Sequence, residues 1–203
     1  EIYTLSLHDA LPIWSAHIHY CENTGEVSST ADAAGGIVGW AYDWSSWTRG
    51  SVEKCLNQGN VTANYYVGGI VGHNQVRTIG GRLDLNNCEN RGKILSTKKG
   101  DDTGTYIGGL VGYSNGGNKP GCGLRLVNCL NKGEVLYSDF VFVKPMAGGL
   151  AGVLRGGKVQ NCYNGGRVGL AEGEAAAGAA DFTGAVAGTL ADQIGRASCR
   201  DRV

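Results

Sequence analysis

The chain has 203 residues, and its 18 Lys and Arg side chains are balanced by 18 Asp and Glu, so the formal net charge is zero. A neutral chain offers no basic field for nucleic acid or anionic lipid. No uninterrupted apolar run reaches the roughly 20 residues that a membrane helix needs. The 35 glycines lack the Gly-x-y period of collagen, and an apolar fraction of 42% argues against disorder.

The two ends of the chain are predicted to lie outside the fold. Residues 1–13 have neither a strand pattern nor the cationic segment and cleavage site of a signal peptide. They match one reading frame of a common short-read sequencing adapter. Residues 193–203 resemble the reverse complement of the same adapter, except at Asp201, where the adapter encodes Glu. We therefore expect a native repeat domain at 14–192, a fragment of a larger chain, between two adapter-derived tails.

Between these tails the sequence repeats. The pattern Cys-x-Asn-x-Gly-x-Val/Ile begins at residues 21, 55, 88, 129 and 162, so its spacings are 55−21 = 34, 88−55 = 33, 129−88 = 41 and 162−129 = 33. A Gly-Gly-x-x-Gly segment follows each of the first four copies, and Gly184–Gly188 is a weaker fifth. Self-similarity at a nearly fixed period is typical of a repeat architecture in which each unit stacks on its neighbours.

Each unit is predicted to form about three short strands. An apolar residue lies three positions before each Cys, and alternate residues after the Cys fall on one side, which is strand periodicity. The first strand ends at the Cys, the second carries Val27 and its equivalents, and the third is the Gly-rich segment. The sequence therefore predicts an all-β fold, a parallel β-helix or β-solenoid with a right-handed turn and about five coils of 33–41 residues.

Two columns of equivalent side chains are expected along this solenoid. Asn-x-Gly is favourable turn chemistry, because Asn and Gly both tolerate positive φ. The turn column consists of Asn23, Asn57, Asn90, Asn131 and Asn164. The second column consists of Cys21, Cys55, Cys88, Cys129 and Cys162. We interpret these cysteines as stacked reduced thiols acting as small apolar residues; disulfides between coils and a zinc site are the alternatives.

The Gly-Gly-Ile/Leu-Val/Ala-Gly segment, together with the upstream Asn-Cys-x-Asn-x-Gly-x-Val pattern, resembles the GLUG-type repeat of bacterial surface proteins. The resemblance covers roughly residues 15–190, and the last copy departs from the motif. It implies an extracellular or cell-surface location within a larger protein. It implies no particular ligand, and glycans or components of a host or cell-wall surface are the partners to test.

An aromatic segment follows the first Gly-rich segment. The residues that this segment offers to a ligand are Trp40, Tyr42, Asp43, Trp44 and Trp47. One interpretation is a platform for sugar rings, since aromatic faces stack on apolar ligand faces. The other is that these rings cap an open end of the solenoid or cover a loop. By repeat position, Trp40, His73 and Tyr113 are expected to form a lateral stack.

The repeat positions carry no catalytic pattern. Acidic residues such as Glu53, Asp84, Asp101 and Asp139 are scattered, and the pair His17 and His19 is interpreted as an exposed polar face rather than a metal site. We therefore expect no metal, no cofactor and no enzymatic activity. The leading hypothesis is an extracellular structural or adhesive repeat module. The alternatives are a carbohydrate-binding module and a polysaccharide lyase or hydrolase on a β-helix.

Overall fold

The computed structural model describes residues 16–30, 32–43, 49–76, 78–97, 104–116, 122–138, 145–172, 182–191 and 195–198. Within these ranges the chain winds through five coils of five short strands each, and one further strand begins another coil. All strand pairs are parallel, and each joins one coil to the next. The predicted all-β parallel β-helix of about five coils is confirmed.

The strands follow the same order in every coil. The first coil contains β1 (His17–His19), β2 (Glu22–Asn23), β3 (Val27–Ser28), β4 (Ala33–Gly35) and β5 (Val38–Asp43). The second contains β6 (Arg49–Glu53), β7 (Leu56–Asn57), β8 (Val61–Ala63), β9 (Tyr66–Gly68) and β10 (Val71–Val76). The third contains β11 (Arg82–Asn86), β12 (Glu89–Asn90), β13 (Ile94–Ser96), β14 (Tyr106–Gly108) and β15 (Val111–Asn115).

The last two full coils repeat this order. The fourth contains β16 (Gly123–Val127), β17 (Leu130–Asn131), β18 (Val135–Tyr137), β19 (Met146–Gly148) and β20 (Ala151–Arg155). The fifth contains β21 (Gly157–Gln160), β22 (Tyr163–Asn164), β23 (Val168–Leu170), β24 (Phe182–Gly184) and β25 (Ala187–Ala191). The final strand is β26 (Gly195–Ser198).

Equivalent strands of successive coils form five sheets, numbered here by the strand of the first coil that each contains. The first sheet has the order β1-β6-β11-β16-β21-β26, and the other four sheets each contain five strands. The register follows the sequence repeat: Ile18 pairs with Val52, and Asn23 pairs with Asn57. Sequence-equivalent residues therefore lie above one another along the axis, which is why a repeat in sequence becomes a column of like side chains.

The prediction of three strands per coil was wrong, because a short strand follows each Cys and the Gly-rich segment is divided between two strands by a bend. In the second coil β9 ends at Gly68 and β10 begins at Val71. A Cβ on Gly68 would lie 2.0 Å from the carbonyl oxygen of Val71, a distance that real Cβ atoms do not reach. Only glycine permits so close an approach of two backbone segments, so the segment folds back on itself.

The position of the left-handed corner also differs from the prediction. Positive φ falls on the residue immediately before each Cys and not on the Asn-x-Gly pair. These corner residues are Tyr20, Lys54, Asn87, Asn128 and Asn161, with φ between 52° and 57°. Asn is common at left-handed positions because its short polar side chain bonds locally, which suits three of the five corners.

The coil interior contains two separate apolar cores. The larger joins the first and fifth sheets and includes Leu85, Leu126 and the bend residue Leu110. The smaller joins the third and fourth sheets and includes Ile94 and Ile107. Each side chain named here is fully buried. In the described part of the chain, no helix is long and apolar enough to cross a membrane.

The strand β26 lies within the stretch that the sequence assigns to an adapter-derived tail. It pairs with β21, but the register shifts between Lys158 and Gln160, unlike the regular pairing of the preceding coils. The domain boundaries at 14 and 192 stay a prediction.

Candidate functional site

The asparagine column is a continuous chain of side-chain amides. The Nδ2 of each Asn donates to the Oδ1 of the Asn in the next coil, at 2.7 Å, 2.7 Å, 2.8 Å and 2.8 Å from Asn23 through to Asn164. The same nitrogen also donates to the carbonyl oxygen two residues later, as in Asn90 to Gly92 at 2.9 Å. Both amide protons of each inner Asn are therefore used, and Asn57, Asn90 and Asn131 are fully buried.

The second glycine of each bend packs directly on this column. A Cβ on Gly69 would lie 2.4 Å from Cγ of Asn90, and one on Gly109 would lie 2.3 Å from Cγ of Asn131. The bend can reach the column only because no side chain intervenes. The two halves of the sequence repeat thus meet at one contact, where the amide column lies against the Gly-Gly bend.

The cysteine column consists of free thiols. None of the six described cysteines forms a disulfide; Cys21 is exposed, and Cys55, Cys88, Cys122, Cys129 and Cys162 are buried. Inner thiols donate to backbone carbonyls, as in Cys129 Sγ to Val127 O at 3.3 Å. Hydrogen bonding with Cys162 and Cys88, together with burial, raises the pKa of Cys129 above that of an ordinary thiol. This thiol stays protonated at neutral pH and lacks the thiolate character of a reactive cysteine.

An aromatic cluster covers the side of coils one to three. Trp40, His73 and Tyr113 lie in register on β5, β10 and β15. The His73 ring centroid lies 4.6 Å from that of Trp40 and 5.2 Å from that of Tyr113. The fourth sheet adds Tyr66, 4.4 Å from His73, and Tyr106, stacked on Tyr66 at 5.3 Å with an interplanar angle of 7°. Two adjoining sheets therefore contribute to one cluster.

His73 lies in the middle of this cluster. Its relative exposure is 5%, and neither ring nitrogen has a hydrogen-bond partner. Burial lowers the pKa of His73 to about 4, since desolvation disfavours the charged imidazolium. Burial likewise raises the pKa values of Tyr66 and Tyr113. The cluster is therefore neutral at physiological pH.

The structure describes part of the predicted ligand-binding set. Trp40 and Tyr42 lie on one face of β5, with ring centroids 6.5 Å apart. Asp43 is described only as the last residue of β5, and Trp44 and Trp47 lie outside the described residues. Tyr66 and Tyr106 were not predicted to belong to the site. Their signal was present, because both stand two residues before the first Gly of a bend.

The two histidines of β1 lie on the outside of the first sheet. Nδ1 of His17 lies 2.8 Å from Oγ of Ser51, and Nδ1 of His19 lies 3.6 Å from a carboxylate oxygen of Glu53. Asp84 pairs with Arg82 at 2.7 Å, whereas Asp101 and Asp139 lie outside the described residues. Among the residues that the structure describes, no group of three or more His, Cys, Asp and Glu side chains could hold a metal ion.

The fold and its columns define a parallel β-helix repeat protein. No family model and no curated protein sequence matches the chain. The fold is similar to the crystal structure of a "putative immunoglobulin A1 protease" from Bacteroides ovatus, with a TM-score of 0.51 and 21% sequence identity. The match covers 89% of this chain and 49% of that one, so the chain spans about half the length of the solved structure it matches.

This likeness corrects one expectation from the sequence. The chain was predicted not to be an enzyme because its repeat positions carry no catalytic pattern. A solved protein of the same fold is described as a "putative" protease, which contradicts this prediction, and the fold gives no ground for excluding activity. At 21% identity the likeness shows the fold alone.

Proposed function

We propose that the chain is a structural and adhesive repeat module of an extracellular bacterial surface protein. The observation that supports it best is the uninterrupted amide column through five coils, because it ties a series of small units into one elongated body. Such a body holds its outward side chains at fixed spacing of about 4.8 Å from coil to coil. A surface of this kind suits repeated weak contacts, which add through avidity.

The outer side chains provide polar and charged contact groups. Glu89 pairs with Lys132 at 2.9 Å, a bond from the third coil to the fourth, and Arg167 pairs with Glu134 at 3.4 Å. Exposed ion pairs add little stability, because solvent screens them. The exposed ion pairs instead keep the surface neutral and well hydrated, which is in keeping with a location outside the cell.

Labelling of intact cells tests the location. An antibody raised against this chain is applied to intact and to lysed cells of the bacterium that carries the gene. The proposal predicts equal labelling of both, and loss of the signal from intact cells after brief external proteolysis. Labelling that appears only after lysis would contradict an extracellular module. A cytoplasmic enzyme measured in the same fractions serves as the control for cell integrity.

The second candidate function is that of the Bacteroides ovatus protein, described as a "putative immunoglobulin A1 protease". The shared fold over 89% of this chain is the observation that favours it. The test is incubation of the folded chain with immunoglobulin A1, followed by electrophoresis of the heavy chain. Cleavage that is lost after heat-unfolding of the chain would support this candidate, and an intact heavy chain would favour the adhesive module.

A further inference from the structure

Unpaired buried polar atoms concentrate in one row of the fifth sheet. In the described residues, buried side-chain nitrogens or oxygens without a partner occur on Trp40, His73 and Thr189. Two further buried atoms, Nε of Arg82 and Oδ1 of Asp84, form an ion pair with each other at 2.7 Å. The first three residues lie in register on β5, β10 and β25, in what we call the aromatic row, which consists of Trp40, His73, Tyr113, Val153 and Thr189.

We propose that the aromatic row and the residues beside it form a binding site for a saccharide chain running along the solenoid axis. This inference rests on the proposed adhesive function and names its ligand class. A sugar presents apolar C–H faces together with hydroxyl groups that both donate and accept hydrogen bonds. The row offers the matching elements, namely aromatic rings for the apolar faces and unpaired donors and acceptors for the hydroxyls.

The unpaired atoms match a hydroxyl group in their hydrogen-bonding roles. The Nε1 of Trp40 is a donor only, whereas neutral His73 has one donor and one acceptor nitrogen. An unsatisfied buried polar atom destabilises the folded chain, so a ligand that pairs with it recovers that cost. Because these atoms are buried, a hydroxyl reaches them only if a ring of the cluster rotates. Binding should therefore change the environment of the His73 imidazole.

A second row of side chains lies beside the aromatic row. It consists of Tyr42, Gln75, Asn115 and Arg155, which pair in register across four successive coils. Gln75 is partly exposed and Arg155 is exposed. Arg155 also lies close enough to Tyr113 to act on it electrostatically, opposing the burial that raises the pKa of Tyr113. The guanidinium and amide thus border the aromatic rings and can orient the sugar.

The site extends over several coils, which fits a chain better than a single sugar. Tyr66 and Tyr106 stack on one another from the second coil to the third and are partly exposed. Trp40 adds the first coil and Arg155 the fourth. Four coils at about 4.8 Å each span a distance of several sugar units. We therefore expect affinity to rise with the length of the oligosaccharide.

The test uses the full chain and a panel of immobilised oligosaccharides of increasing length, in neutral and uronic-acid-containing arms. We expect retention of at least one arm, with affinity that increases with length. Stronger retention of the uronic-acid-containing oligosaccharides would indicate that Arg155 binds a carboxylate. Equal retention of the two arms would indicate that it binds hydroxyl groups. Absence of retention in every arm would overturn the proposal and leave ordered water as the partner of the unpaired atoms.

Variants and a spectroscopic signal locate the site. The double variant Gln75→Ala, Arg155→Ala should bind the retained saccharide with at least tenfold lower affinity, and its unfolding midpoint should not change. Lys158→Ala, an exposed change on the first sheet, should leave binding unaltered. The ¹⁵N signals of the His73 imidazole, assigned with His73→Gln, should shift on saturation. Equal binding by all variants, or unshifted His73 signals, would overturn this location. The cell-labelling experiment stands apart, so its outcome does not depend on this one.

Discussion

The side chains of Asn57 and Asn90, 33 residues apart in the chain, are joined by a hydrogen bond from Nδ2 to Oδ1 of 2.7 Å. The second amide proton of Asn57 is donated to the carbonyl oxygen of Gly59 at 2.8 Å. The amide is fully buried, so solvent cannot replace either bond. Asn fits this position because one planar group both donates along the column and holds its own turn.

Replacement of the central asparagine should destabilise the solenoid. Asn90→Ala removes the acceptor for Asn57 and the donor to both Asn131 and Gly92. Because the partners stay buried, we expect a loss of about 1–3 kcal/mol in the free energy of unfolding, measured by denaturant titration. Asn86→Ala, on the outer face of β11, is the matched control and should change stability by less than about 0.5 kcal/mol. Equal effects of the two changes would count against the column.

A methyl group added at the bend should destabilise the folded chain far more than one added at an open position. In Gly69→Ala the added Cβ would lie 2.2 Å from the carbonyl oxygen of Gly109 and 2.4 Å from Cγ of Asn90. We expect destabilisation of about 3 kcal/mol or more, since backbone atoms have to move. Gly169→Ala is the control, because nothing lies within 4 Å of its added Cβ. Thermal unfolding of the two variants gives the comparison, and similar midpoints would refute the close packing.

Stability should depend on pH through His73. Its pKa is lowered from 6.5 to about 4 in the folded chain. As the pH falls from 6.5 towards 4, the unfolded chain takes up a proton and the folded chain does not, so the free energy of unfolding decreases. The contribution of His73 to the free energy of unfolding is complete above pH 6.5, and it amounts to at most about 3 kcal/mol.

Carboxylates also titrate in this range, so the effect of His73 is measured as a difference. His73→Phe keeps a ring against Trp40 and Tyr66 but cannot take up a proton. The unfolding free energies of the two proteins, measured from pH 4 to pH 7.5, should diverge as the pH falls, with the unsubstituted chain losing more. Parallel curves would show that His73 is not shielded.

The thiols should differ sharply in reactivity. Cys21 is exposed, whereas the other five described cysteines are buried. Alkylation in native buffer should modify Cys21, and modification of Cys55, Cys88, Cys122, Cys129 and Cys162 should require denaturant. Peptide mass spectrometry provides the measurement. Disulfide-linked peptides from neighbouring coils, found without added oxidant, would contradict a column of reduced thiols.

Removal of the two predicted tails should leave the repeat domain stable. The irregular register of β26 on β21 indicates weak pairing, and the other tail is unrelated to the repeat. A chain of residues 14–192 should therefore unfold within about 1 kcal/mol of the full chain. A larger loss would mean that Gly195–Ser198 protects the edge of the last coil.

The architecture could be predicted from sequence because the repeat fixes the register. Five in-phase copies place like residues above one another, so the Asn and Cys columns follow from spacing alone. The number of strands per coil could not be predicted from the repeat in the same way. Gly-Gly-Ile-Val-Gly has a strand-like apolar pair, and the close contacts of Gly68 with Val71 and of Gly69 with Asn90 that accompany the bend are not visible in that pattern.

The aromatic cluster was only partly predictable for a related reason. The stack of Trp40, His73 and Tyr113 follows from their shared repeat position. Tyr66 and Tyr106 join it because the bend brings the fourth sheet against the outer side of the fifth, and that bend was mistaken for a strand. An error in local structure therefore hid two of the five rings of the cluster.

Exchange of the side-chain amide protons tests the central claim most directly, namely that a buried amide column holds the coils together. The Nδ2 protons of Asn57, Asn90 and Asn131 should exchange with deuterium orders of magnitude more slowly than those of Asn86, because both protons of each are bonded and shielded. The measurement is a time course of the side-chain amide signals by NMR after transfer to D₂O. Exchange of these three residues as fast as Asn86 would contradict the account.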